Sequence, residues 1–243
     1  TVTVPQYAEA GTWEVTTVSL EDNADNRVNI EQSQLIEAGF PTNISVSSSP
    51  SDGTAPSLEE FSFSPDSVDV TNGPEEITFT LRITDSPAGF SGAGFSYVAI
   101  EGPSSQLKTG SINTRSSGSP SDGIYTASIS IPQSAEAGTW TVAAVSLEDD
   151  AKNEAYIETA DLNDQLFNTE IRVSSESSDS MPPELVEFDF APDSVNVEIE
   201  AKPIEFDLRV TDDQAGFNSN GFSYVAVRGP SDQLITGSVA ERT

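Results

Sequence analysis

The oxygen donors of this chain come in sets that recur at a fixed spacing. Glu148-Asp149-Asp150 restates Glu21-Asp22-Asn23, and Thr84-Asp85 returns as Thr211-Asp212-Asp213. Asp52, in Ser51-Asp52-Gly53, returns as Asp179; each separation is 127 residues. Carboxylates gathered from separate loops repel one another, so their convergence costs stability unless protons or a cation neutralise them. Calcium suits such a set, because it takes about six to eight oxygen ligands in flexible geometry. The chain has no cysteine and no histidine. Disulfides and Cys/His zinc sites are therefore excluded, as is Ser-His-Asp or Cys-His catalysis within the chain. The predicted calcium ligands are Asp85, Glu148 and Asp149, joined by Asp150 and Asp52, with Asn153 and backbone carbonyls completing the shell. Their counterparts elsewhere in the chain are Glu21, Asp22, Asp212, Asp213 and Asp179. Turn chemistry is the competing reading, since Asp and Asn side chains bond nearby amides and tolerate left-handed backbone. No EF-hand loop is present to decide between the two.

The elements that must position these residues repeat with them. Ile131 to Trp140 restates Val4 to Trp13, Gly221 to Ala226 restates Gly94 to Ala99, and about half of all overlapping positions are identical. A period this long is one small domain, so the pattern is an array of like modules rather than a thin solenoid. Within a module, apolar and polar residues alternate in short runs, as in Ile77, Phe79, Leu81, Ile83 and in Tyr125, Ala127, Ile129, Ile131. That is the signature of half-buried strands. Strands are predicted at 58–63 continuing to 68–70, 77–83, 95–100, 107–113, 125–131, 140–147 and 156–173. A Ser/Gly/Pro turn is expected at 116–123 and a helical turn at 161–166. Seven short strands without an amphipathic helix indicate an all-β fold of tandem immunoglobulin-like β-sandwich modules, each of about 120 residues; a jelly roll or a barrel is the alternative, disfavoured by that small size. On the same alternation Trp13, Trp140, Phe95, Tyr97, Phe222 and Tyr224 are expected in the core. In such a strand order the three acidic segments converge at one end of the module, beside its joint with the preceding one.

Residues 1–48 then read as the C-terminal half of a module, 49–176 as a complete one and 177–243 as an N-terminal half. An excerpt of a longer array is favoured over half-modules completed by an adjacent chain, because an open half-sandwich leaves unpaired strand edges. Forty acidic residues face ten basic ones, for a net charge of −30. This argues against nucleic acid and anionic membranes as partners and favours solubility, cation binding or screening by high salt. No apolar run approaches the ~20 residues of a membrane span, and no signal peptide opens the sequence.

The motifs Phe-Ser-Pro-Asp-Ser-Val-Asp-Val (63–70), Leu-Arg-Ile-Thr-Asp (81–85), Ala-Gly-Thr-Trp-Thr-Val (137–142) and Val-Ser-Leu-Glu-Asp-Asp-Ala-Lys-Asn (145–153) resemble those of tandem bacterial Ig-like repeats in long surface proteins. The last motif often reads Asp-Asn-Ala-Gly-Asn there; Asp22 to Asn26 and Asp149 to Asn153 both lack the glycine. The resemblance implies an extracellular, cell-surface location and a non-enzymatic structural role in a stalk, adhesin or filament. The implied partners are neighbouring like modules, in the same or an adjacent chain, with head-to-tail assembly into a fibre. Calcium at the junctions would stiffen such an array. The alternative is an adhesin module that binds a ligand or carbohydrate to mediate attachment. Glycoside hydrolysis by two carboxylates needs no histidine, but a single catalytic site is not expected to recur at a fixed period.

Overall fold

A computed structural model describes residues 1–218 and 221–239. The chain is all-β with several sheets. Its elements begin with β1 (Gly11–Glu14), β2 (Thr17–Glu21), β3 (Arg27–Glu31), α1 (Gln32–Glu37) and β4 (Asn43–Val46). They continue with β5 (Ser57–Ser64), β6 (Ser67–Asp69), β7 (Glu75–Thr84), β8 (Tyr97–Glu101), β9 (Leu107–Ser111) and β10 (Thr114–Ser119). Then come β11 (Asp122–Ile131), β12 (Gly138–Glu148), β13 (Glu154–Glu158), α2 (Thr159–Asp164) and β14 (Glu170–Ser174). The last are β15 (Glu184–Ala191), β16 (Glu205–Thr211), β17 (Tyr224–Arg228) and β18 (Leu234–Ser238). Two compact units form: Thr1–Trp13 with Ile44–Ser180, and Glu14–Asn43 with Met181 onward. No helix among the described residues is long and apolar enough to cross a membrane.

The first unit holds two large sheets, one ordered β10-β11-β7-β5 and the other β6-β14-β12-β8-β9 with β13 also on β12. Both feed a single hydrophobic core. Alternation supplies it: Ile77, Phe79, Leu81 and Ile83 of β7 are buried, as are Tyr125, Ile129 and Ile131 of β11. From the other sheet come Trp140, Val142, Val145 and Leu147 of β12. The step from Val142 to Val145 reflects a bulge between Val142 and Ala144 in the pairing with β8, which shifts the in–out phase by one residue. Burying each large side chain stabilises the unit by about 1.5–3 kcal/mol. β5 and β6 are consecutive yet lie in different sheets, and β6 runs parallel to β14, with Ser67 opposite Arg172 and Asp69 opposite Ser174.

Two expectations change. Phe95 and Phe222 are 79% and 97% exposed, Tyr97 is half-buried and Tyr224 is exposed, so none of the four is a core residue. Val98 and Ile100 take the inward positions of β8, and with a period of two that forces Tyr97 onto the opposite face. The expected turn at 116–123 is partly strand: β10 reaches Ser119, every residue of it exposed. The run 156–173 is interrupted as expected: α2 (Thr159–Asp164), beginning two residues ahead of the helical turn expected at 161–166, separates β13 from β14. Trp140 is fully buried, and Trp13 is half-buried.

Strand registers recur 127 residues apart. Tyr97↔Ser111 through Glu101↔Leu107 returns as Tyr224↔Ser238 through Arg228↔Leu234. Leu58↔Ile83, with its following bulge, returns as Leu185↔Val210 with the same bulge. Ala144↔Glu158 matches Thr17↔Glu31. In the second unit the pairs β2–β3, β15–β16 and β17–β18 are each two-stranded, and Leu185, Phe188 and Phe190 of β15 stay exposed.

Candidate metal centre

Two strand ends and one linker build the site, all within the first unit. Asp85 directly follows β7, Asp149 directly follows β12, and Asp52 lies in the segment leading to β5. All three are buried, and one carboxylate oxygen from each lies within 4.8 Å of the other two.

Local backbone chemistry aims each carboxylate. Asp149 Oδ1 accepts the N–H groups of Ala151 and Asn153, both at 2.8 Å, and Oδ2 accepts Asn153 Nδ2 at 2.8 Å. Lys152 holds the left-handed φ of 75° where the related motif has glycine. The turn therefore closes around the Asp149 side chain without that glycine. Asp22 repeats the arrangement, accepting Ala24 N–H at 2.8 Å, Asn26 N–H at 3.0 Å and Asn26 Nδ2 at 2.9 Å, with Asp25 at φ 63°. These bonds, the Asn26 side chain foremost, hold the exposed Asp22 carboxyl below its ordinary value.

Asp85 Oδ2 accepts the Gly89 N–H at 2.7 Å. Gly89 sits at φ +82°, and a Cβ placed there would stand 2.8 Å from Pro120 Cβ. Both the left-handed backbone and the close approach require glycine. Gly89→Ala is expected to cost about 1–3 kcal/mol of stability, read as a lower denaturation midpoint in urea; an unchanged midpoint would show that the turn relaxes freely. Asp212 repeats this geometry, accepting the Gly216 N–H at 2.6 Å with Gly216 at φ +79°.

Asp52 ties the linker to the same loop. Its Oδ2 accepts Ala88 N–H at 2.8 Å, and its Oδ1 accepts Thr54 N–H at 3.1 Å and Thr54 Oγ1 at 2.9 Å. Its own N–H donates to the Tyr7 carbonyl at 2.7 Å, joining the preceding segment. Asp179 makes the corresponding backbone bond to the Ser134 carbonyl at 2.9 Å and is likewise buried.

The other expected ligands of the first unit each have a partner of their own. The Glu148 carboxylate pairs with Lys152, as Glu21 pairs with Arg27. Asp150 accepts the Ser91 hydroxyl, and its N–H donates to the Gly89 carbonyl at 3.0 Å. Asn153 faces Asp149 through its N–H donors. Asp213 is exposed.

The electrostatics of the trio are divided. Burial raises the Asp85 carboxyl above its ordinary value, and the neighbouring Asp52 and Asp149 charges push it further up against the Gly89 N–H. Burial also opposes ionisation of Asp52, but the N–H groups of Ala88 and Thr54 with the Thr54 hydroxyl outweigh it, and its carboxyl is held low. None of the ion pairs among the described residues involves Asp52, Asp85 or Asp149. Oxygens at about 2.3–2.6 Å from one calcium lie at most about 4.6–5.2 Å apart, so the observed spacing admits a single shared ion. Its donors would be all oxygen, the chemistry a hard cation prefers.

No curated protein and no solved structure matches the chain. Residues 51–178, just over half of its length and containing all three carboxylates, match one family. The chain belongs to the family described as Domain of unknown function (DUF7035).

Proposed function

We propose that the chain is a non-enzymatic, extracellular structural segment built from tandem immunoglobulin-like modules, part of a surface stalk, adhesin or filament, with calcium held at the module joint. The observation that carries this reading is the buried trio Asp52, Asp85 and Asp149, which lacks any cationic side chain as partner and includes the linker residue bonded to Tyr7. Like charges brought together without a counter-charge are costly, and a divalent ion placed among the three would offset that cost while tying the linker to two strand ends.

Two further observations support it. The sheets β10-β11-β7-β5 and β6-β14-β12-β8-β9 correspond to strands D-E-B-A and A′-G-F-C-C′ of an immunoglobulin-like sandwich. The registers that recur 127 residues apart fit like modules in series, whose partners are further modules of the same kind. The strongly acidic surface leaves nucleic acid without a footprint.

Calorimetric titration of the chelated chain with calcium, paired with scattering-derived length, tests the proposal. Saturable binding that includes at least one site of the trio, with a longer and less variable particle, is the expected result. Absence of calcium binding, or binding that leaves length and its spread unchanged, would remove the stiffening role.

A further inference from the structure

The outer face of the second sheet carries a groove of about 510 Å³, within the size range of small-ligand sites. It shares no residue with the carboxylate trio. Its floor is made of small side chains, Ala99 on β8 with Ala143 and Ala144 at the β12 bulge. Its walls are large: Phe95, Tyr97, Leu107 and Tyr156, the last 61% exposed. Phe95 and Tyr97 meet edge to face with ring centroids 5.4 Å apart. Thr109 and Ser111 on β9, with Asn113 just beyond, add hydroxyl and amide groups. No lining residue is charged, although the chain carries −30. The Glu148 carboxylate, which reaches Gly94 at the rim, is paired with Lys152.

From these features we propose that the groove binds a neutral oligosaccharide. The C–H faces of its pyranose rings lie on the rings of Phe95 and Tyr156, and its hydroxyls bond Thr109, Ser111 and Asn113. Ring faces carry negative charge density and C–H edges positive, which favours that stacking. Hydroxyl and amide side chains both donate and accept, matching a polyol. An anionic ligand is repelled by the field of the whole chain. A cationic ligand finds no carboxylate in the lining. A wholly apolar ligand leaves the hydroxyl and amide groups buried without partners, which is costly. The charge-free lining thus selects a neutral, hydroxyl-rich occupant. The aromatic pair returns as Phe222 and Tyr224, with centroids 5.5 Å apart, whereas the position of Tyr156 is Asn29 in the preceding copy.

The test uses the full chain in calcium-containing buffer. It is applied to an array of neutral gluco-, manno-, galacto- and N-acetylglucosamine oligosaccharides, beside sulfated and sialylated ones and extended apolar peptides. Calorimetry then follows each ligand captured. Saturable binding of a neutral oligosaccharide is expected, weakened about tenfold or more by Phe95→Ala and by Tyr156→Ala, with melting temperature unchanged because both side chains are exposed. No neutral ligand bound, charged glycans or apolar peptides bound alone, or affinity indifferent to both variants would each overturn it. Binding retained in chelator, with calcium found not to bind, would sink the calcium reading and leave this one standing.

Discussion

In chelator at neutral pH, Asp85→Asn is expected to melt above the unaltered protein, and in calcium below it. The sign follows from the site. The Asp85 carboxyl is raised in the folded state by burial first and by Asp52 and Asp149 second. The folded protein therefore binds its proton more tightly than the unfolded chain does. Stability is lost as pH rises from the ordinary carboxylate value through the raised one, and the loss is complete above it. An asparagine removes that penalty and still offers an oxygen to the Gly89 N–H. Calcium bound as proposed would reverse the order, because the variant loses a charged ligand. Binding at about a hundred times Kd stabilises by about 2.7 kcal/mol, which corresponds to roughly 5–15 °C in a unit of this size. Asp52→Asn is the internal control. Its carboxyl is held low by Ala88 and Thr54 against burial, so its ionised form contributes stability above the ordinary value, lost as pH falls through the lowered one. It should therefore melt lower in chelator as well as in calcium. Melting curves of the three proteins across pH, with and without calcium, check the crossover; parallel curves would mean that no ion is shared by the trio.

Trp140→Ala should be the most damaging single change, by about 3–5 kcal/mol. The indole is fully buried, its Nε1 donates to the Glu136 carbonyl at 2.9 Å, and its ring lies so close to Gly102 that a Cβ there would stand 2.9 Å away. Truncation opens a cavity against a rigid backbone and leaves the Glu136 carbonyl without that donor. Circular dichroism melts would register a drop of roughly 10 °C or more, and calcium should not restore it. A loss under about 1 kcal/mol would mean that the core around β12 collapses to fill the space.

Much of the architecture could be read from period-two alternation, since β7 and β11 carry one apolar phase and one polar phase. The tetrad Tyr97-Val98-Ala99-Ile100 is apolar in both phases, so alternation alone cannot choose which side faces inward. Packing chose Val98 and Ile100. β10 left no trace because every one of its residues is exposed, and an edge strand without burial has no hydrophobic pattern to detect. The convergence of Asp52, Asp85 and Asp149 was legible because the expected strand order puts the end of the second strand, the end of the sixth and the entry segment at one end. One contact at the site that the sequence did not show is that of the Glu148 carboxylate with Lys152, which stands at the left-handed position of the turn. The sequence showed a missing glycine there, and the structure shows Asp149 doing the closing instead.

The parallel seam between β6 and β14 has a mechanical consequence. In the first unit β6 follows β5, which is held on β7, and the chain runs on after β14, so tension that passes β5 drags β6 and β14 in opposite directions along their length. Arg172 N–H to the Asp66 carbonyl (2.8 Å) and Val70 N–H to the Ser174 carbonyl (2.9 Å) bracket the seam. Evenly spaced bonds between parallel strands are then sheared together rather than unzipped in succession. Rupture under such a pull is governed by the unfolding rate rather than by equilibrium stability, so this short seam acts as a clasp wherever the chain is stretched.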